Sequence, residues 1–313
     1  MASRTIAVGN YGLTKALKDG SLTSDRLALA PVEVAPITAA MRRMVRGLEF
    51  DICEMAFTTY LCAKSLGKPV TAIPVFVTRN FHHWAVWHNS KSGIRTPKDL
   101  EGRTVGVNRG YTVTTGLWVR GVLQEEYGVD LKKIRWAATD DEHVAEYRAP
   151  GYVDYDSLRG KDLGALLAAG EIDAAIGDIK ADSPDVTQLI PDAPAAGFAY
   201  YRKTGIYPLN HTVVIKDALL AAQPWLAEEL FRLFKAAKEA WRAKLASGCE
   251  LTAADKTALA LQAGIGGDPF PYGIEPNRKA LEAVARFCVD QDVTPRAFRL
   301  DEMFAESTRD LAG

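Results

Sequence analysis

Residues 50–77, FDICEMAFTTYLCAKSLGKPVTAIPVFV, decide the fold. Phe50–Cys53 is a short strand-like run, Thr58–Leu66 reads as a helix ended by Gly67, and Val70–Val77 is a second strand interrupted by Pro74. Strand, helix and strand at this spacing form the repeating unit of a mostly parallel α/β sheet. The same beat extends in both directions. Upstream lie a strand at Thr5–Val8, a polar stretch holding Thr14–Gly20, and the β-branched Val32–Ala35, closed by Pro36. Thr38–Gly47 follows as a helix with Arg42, Arg43 and Arg46 on its wet side and Gly47 as its stop. Downstream, Trp84–His88 is a further strand, and the turn-rich Asn89–Pro97 (NSKSGIRTP) reads as a crossing between domains. The alternation then restarts with strand Thr104–Asn108, helix Thr112–Tyr127, strand Ile134–Ala138, helix Leu158–Ala169 and strand Ile172–Ile176. After a Pro-rich stretch come strand His211–Ile215 and two helical blocks near Leu219–Leu245 and Asn277–Asp290.

A barrel would keep one βα beat to the end, and the helical last third does not. The expected architecture is α/β with two lobes, the second inserted into the first: 1–92 and 206–313 form lobe 1, and 93–205 form lobe 2. Each lobe is expected to be a mixed, mostly parallel sheet flanked by helices, with ligand bound at the carboxyl ends of the strands between the lobes.

Composition narrows the function classes. Thirty-eight basic against 39 acidic residues leave a net charge of -1 with no basic stripe, so no nucleic-acid partner is expected. No stretch approaches a membrane span, and the opening Met1–Arg4 lacks the apolar core of an export signal. Cys53, Cys62, Cys249 and Cys288 show no CxxC spacing and read as reduced thiols of a cytoplasmic protein. Walker, dinucleotide, HExxH and Gly-x-Ser-x-Gly patterns are all missing from the sequence.

Two segments, GLEFDICEMA (47–56) with TTYL (58–61), and PKDLEGRTVGV (97–107), resemble type II periplasmic-binding-protein folds. More narrowly, FDICEMAFTTYLCAK (50–64), RNFHH (79–83), VGVNRGYTVTTG (105–116), DEHVAEYR (141–148) and DPFPYGIEPNRKALE (268–282) resemble the 4,5-dihydroxyphthalate decarboxylase family. The resemblance implies a carboxy-lyase of aromatic catabolism that converts 4,5-dihydroxyphthalate to protocatechuate (3,4-dihydroxybenzoate) and CO2. A solute-binding protein of the same fold, which captures an aromatic carboxylate without transforming it, is the alternative. The resemblance does not say which residues act.

Direct loss of CO2 would leave an aryl anion in the ring plane, outside the π system. Protonating the carbon that bears the carboxylate, with help from the hydroxyl para to it, avoids that anion. The site therefore needs an acid, an acceptor for a catechol oxygen, and donors for two carboxylates. No organic cofactor and no metal are demanded, and none is expected.

The first catalytic candidate is Glu54, at the end of its strand in an apolar setting that would make it a usable acid, or else an N-cap or salt-bridge residue. The next are His82 and His83 of RNFHH, of which at most one faces the cleft, or else one buried and one surface histidine. The last is His211 ahead of a strand, or else a satisfied core histidine. Arg79 and Arg109 are candidate carboxylate clamps. Tyr111, Thr112, Thr114 and Thr115 follow Arg109 where a strand gives way to a helix, so their amides and hydroxyls form the expected anion site. The plainer alternative is a Thr that caps the helix beside a solvated Arg109. Asp178, after a strand, is a candidate acceptor for a catechol hydroxyl. The acids around His143 read as first-turn and capping residues of a helix. Assembly into a homo-oligomer is expected, the helical C-terminal block offering surface for it.

Overall fold

The computed structural model describes residues 3–313, and the chain in it divides into two compact units. The first comprises Met1–Arg79, Leu209–Glu282 and Phe298–Gly313; the second comprises Asn80–Pro208 and Ala283–Ala297. The first crossing thus falls near Asn80 rather than at residue 92. The cause is the strand Val86–Asn89, whose hydrogen-bond partners all belong to the second sheet.

The first unit opens with β1 (Arg4–Ala7), α1 (Lys15–Lys18), β2 (Leu29–Pro31), α2 (Ile37–Gly47), β3 (Ile52–Ala56), α3 (Phe57–Ser65) and β4 (Val70–Arg79). In the second unit β5 is Val86–Asn89, β6 Thr104–Val107, α4 Thr114–Tyr127, β7 Arg135–Ala138, β8 Val153–Asp154, α5 Leu163–Ala169, β9 Ala174–Ile176, β10 Val186–Gln188 and α6 Ala193–Thr204. Then follow β11 (Leu209–Lys216), α7 (Asp217–Ala222), α8 (Leu226–Ser247), α9 (Ala253–Ile265) and α10 (Arg278–Asp290).

Sheet one runs β2-β1-β3-β11-β4, with β11 antiparallel to both of its neighbours. Sheet two runs β10-β5-β9-β6-β7-β8, parallel from β9 to β8 and antiparallel on the β5 side. Both are therefore mixed. Pro74 is tolerated because β4 is an edge strand and its pairing with β11 is bulged there.

The helices follow from their apolar spacing. In α2, Ala40, Met41, Met44 and Val45 are buried, while Arg43 and Arg46 face water. The long α8 lays Leu226, Leu230, Leu233, Phe234 and Ala237 onto the sheet-one core beside Ile52, Ile73, Val213 and Ile215. Its Lys238 is buried within the same layer, where it donates to Asp268 at 2.8 Å and to the Phe270 carbonyl at 2.9 Å. Among the described residues no helix is long and apolar enough to cross a membrane.

Candidate functional site

In the first unit the carboxyl ends of parallel β1 and β3 lie side by side, with Ala7 opposite Cys53. Strand β3 extends past Cys53 to Ala56, so Glu54 sits inside the strand rather than after it. On β11, Val213 lies opposite Glu54 and His211 opposite Ala56. Glu54 and His211 are therefore diagonal neighbours on one face of the sheet.

Their side chains meet. His211 Nδ1 is 2.6 Å from Glu54 Oε1, the same oxygen accepts from the Tyr11 hydroxyl at 2.8 Å, and Oε2 accepts from the Gly9 amide at 2.8 Å. Glu54 is fully buried, while the His211 side chain keeps 18% of its surface exposed. A buried carboxylate is tolerable only with donors of this kind around it. The Tyr11 hydroxyl is held well above its ordinary pKa, first by burial and then by the Glu54 charge, so it stays a donor. Burial, followed by Glu54, likewise pushes the neighbouring Cys53 thiol up, which keeps it out of nucleophilic chemistry.

In this geometry the Glu54 carboxylate faces donors on both oxygens, and one of those oxygens also faces the ring of His211. With Nδ1–H assigned to Glu54 by the oxygen it faces, Nε2 is the acceptor atom of the ring.

Arg79 ends β4 opposite Leu209, two residues along β11 from His211. Its Nη1 donates to Asn277 Oδ1 at 2.8 Å, and Asn277 Nδ2 donates to the carbonyls of Pro271 and Gly273, both at 2.8 Å. The segment DPFPYGIEPN (268–277) is thus a mount for one guanidinium. Sequence reasoning missed Asn277 and Tyr11. The Gly9-Asn10-Tyr11-Gly12 turn directly after the first strand was the available signal for the second of these.

The second unit holds the other candidates. The loop expected to bind a ligand anion already holds one of the chain's own. Glu142 is buried, and its carboxylate accepts from the amides of Tyr111 and Thr112, from the Thr112 hydroxyl, and from the Tyr155 hydroxyl at 2.6 Å. A Cβ on Gly110 would lie 2.7 Å from Glu142 Oε2, so glycine is what lets the carboxylate approach. Tyr111 and Thr112 are therefore internal donors, a correction to their reading as substrate contacts. Tyr111 is fully buried beneath Arg120, whose Cζ lies 3.8 Å from the ring centroid and whose Nη2 donates to the Tyr111 carbonyl. Helix α4 begins at Thr114, not Thr112; Thr114 is buried and Thr115 half-buried in its first turn. Arg109 has a left-handed backbone (φ 72°) that lets its amide donate to Thr139 Oγ1. No helix forms around His143, so the capping role read there gives way to the Glu142 contacts.

His82 and His83 are 1% and 2% exposed. His83 opens a 3-10 turn between the rings of Phe81 and Tyr200, and burial lowers its pKa to about 4. It is a neutral packing residue near pH 7, not the titrating group the segment suggested. Asp178 is exposed, and its carbonyl accepts from Asn108 Nδ2 at 2.7 Å. Among the described residues no group of three or more His, Cys, Asp or Glu side chains could hold a metal ion.

Comparison with known proteins adds ancestry to this geometry. The family described as NMT1/THI5 like matches residues 42–157. A 4,5-dihydroxyphthalate decarboxylase of Comamonas testosteroni is 32% identical over 247 residues, covering 75% of this chain and 74% of that protein. The chain belongs to the 4,5-dihydroxyphthalate decarboxylase family. A second 4,5-dihydroxyphthalate decarboxylase, from Pseudomonas putida, is 30% identical over 211 residues, covering 63% of this chain and 81% of that one. Among solved structures, the periplasmic aliphatic sulphonate binding protein SsuA of Escherichia coli matches with a TM-score of 0.53 at 12% identity, over 98% of this chain and 99% of that one. This decarboxylase-family chain therefore has a periplasmic-binding-protein-like fold, with each unit a mixed sheet flanked by helices.

Proposed function

We propose that the chain is a carboxy-lyase that converts 4,5-dihydroxyphthalate to 3,4-dihydroxybenzoate and CO2. The observation that carries this reading is the 32% identity to a 4,5-dihydroxyphthalate decarboxylase across three quarters of the chain. The Glu54–His211 pair supports it, because the reaction needs one well-held group that moves a proton.

In this scheme His211 Nε2 delivers a proton to the ring carbon that bears the departing carboxylate. The hydroxyl para to that carbon passes its proton to water, and its oxygen feeds electrons into the ring. The C–C bond then breaks, its electron pair restores the aromatic sextet and leaves the para oxygen as phenolate, and CO2 departs. Water returns one proton to that oxygen and another to His211 Nε2. One proton has replaced one carboxylate. Glu54 holds the imidazole at Nδ1 throughout, and Arg79, on its Asn277 mount, binds the carboxylate that stays. A cytoplasmic location belongs to the same proposal, since four scattered cysteines with no CxxC spacing suit a reducing compartment.

Incubating the purified protein with 4,5-dihydroxyphthalate tests the reading. Stoichiometric CO2 and 3,4-dihydroxybenzoate are expected. Tight binding with the ligand recovered unchanged would replace catalysis by capture.

A further inference from the structure

We propose that Tyr11 is a positioning residue for the Glu54–His211 pair, its hydroxyl fixing the carboxylate that orients the imidazole. The inference deepens the reading above and rests on it for its kinetic consequence. Tyr11 and His211 share one acceptor, Glu54 Oε1, at 2.8 and 2.6 Å. With Gly9 N–H on the other oxygen, the carboxylate has both ends tied and cannot turn about its own axis.

The loop that carries Tyr11 is built to hold it there. Thr14 Oγ1 accepts from the Tyr11 amide at 3.0 Å and donates to the Gly9 carbonyl at 2.7 Å, bracing the loop across its width. The Tyr11 ring folds back so closely that a Cβ on Gly9 would lie 2.5 Å from its Cζ. Behind the loop, Trp241 of α8 abuts Gly12, where a Cβ would lie 2.0 Å from the indole nitrogen, and that nitrogen is itself bonded to Asp255 at 2.8 Å. Burial together with the Glu54 charge keeps the phenol protonated, so the hydroxyl is a donor at any working pH.

The consequence is chemical. Without the phenol, Oε1 has only the imidazole to neutralise it. The carboxylate is then tied to the loop only through the Gly9 amide, and the imidazole that it orients is held less firmly. Substrate binding is untouched because Tyr11 acts through Glu54.

The test is Tyr11→Phe in the full-length chain, followed in two ways. Steady-state kinetics with 4,5-dihydroxyphthalate should show kcat lowered about 10-fold, the factor that one lost hydrogen bond to a charged group is worth, with KM within about twofold. Proton NMR should show a downfield His211 Nδ1–H resonance, assigned by its loss in His211→Asn, that moves or broadens away in Tyr11→Phe. Gly9→Ala, which crowds the ring without removing the hydroxyl, should move the same resonance. A raised KM with unchanged kcat would make Tyr11 a substrate contact and overturn the proposal. An unmoved resonance would overturn it whatever the kinetics. If the wild-type protein leaves 4,5-dihydroxyphthalate unchanged, the functional reading fails, and the resonance alone decides the positioning role.

Discussion

At the scale of single residues, histidines of one sequence class receive different roles from their surroundings. His211 shares a carboxylate with Tyr11 and keeps part of its surface exposed, whereas His83 is sealed between aromatic rings. The first difference predicts kinetics. His211→Asn should lower kcat by about 10²–10⁴-fold with little change in KM, as removal of a proton-transfer group does. Glu54→Gln should fall short of that loss, because the imidazole remains but its orientation slackens. Equal kcat in wild type and His211→Asn would remove the imidazole from the mechanism. The second difference predicts stability. The unfolded chain binds a proton at His83 below about pH 6.5, while the folded chain refuses it until about pH 4. The unfolded state therefore holds more protons in that window, and folding stability declines as pH falls through it, by roughly 3 kcal/mol at the lower end. Urea titrations of His83→Phe between pH 4 and 7 should show a correspondingly flatter dependence. An unchanged slope would mean that His83 charges as freely folded as unfolded.

At the scale of elements, the alternation of strands and helices was legible because each carries its own period, and α2, α3, α4, β1, β3, β4, β6, β7, β9 and β11 lie close to where apolar spacing puts them. By contrast, β2 is Leu29–Pro31 rather than Val32–Ala35, and the short β8 and β10 and helix α6 carried no such signal. Boundaries shifted where tertiary contacts outweighed local preference. β3 continues through Glu54 because β11 pairs with it to Ala56, and α4 starts late because Tyr111 and Thr112 are drawn onto Glu142. Glu54 and His211 could be chosen from the sequence by position at a strand edge. Their meeting could not be read there, since it joins residues 157 apart along the chain. The loop around residues 110–112 shows the same limit. Its amides were correctly seen as anion donors, but the anion proved to be a side chain about 30 residues away. Glu142→Ala should leave two amides and the Tyr155 hydroxyl without their acceptor in a buried site, at a cost of about 3 kcal/mol. Formate should restore part of that loss in proportion to its concentration, because the donors it needs are already in place. Thermal melts with sodium formate against sodium chloride would show this. A variant as stable as wild type would mean that water satisfies those donors as well as Glu142 does.

At the scale of the whole molecule, the first unit depends on chain that arrives late. Its sheet is completed only when β11 inserts between β3 and β4, and its outer edge is closed by the last segment. There Ala305 donates to the Ala72 carbonyl, the Tyr60 hydroxyl donates to the Met303 carbonyl at 2.6 Å, and Phe304 stacks on Phe57 and meets the edge of Phe76. These contacts cover an edge strand that would otherwise present unpaired backbone to other chains. Phe304 is 2% exposed, and its neighbours Phe57 and Phe76 are fully buried on α3 and β4. Replacing it by alanine removes a ring that three elements share, and packing that is already complete cannot collapse to fill the space. Phe304→Ala is expected to cost about 3–5 kcal/mol. The loss should appear as a lower urea midpoint and as greater aggregation on heating, because the uncovered strand is long. If Phe304→Ala unfolds at the wild-type midpoint, the last segment only decorates the sheet, and the edge of β4 must be protected by its own bulge at Pro74.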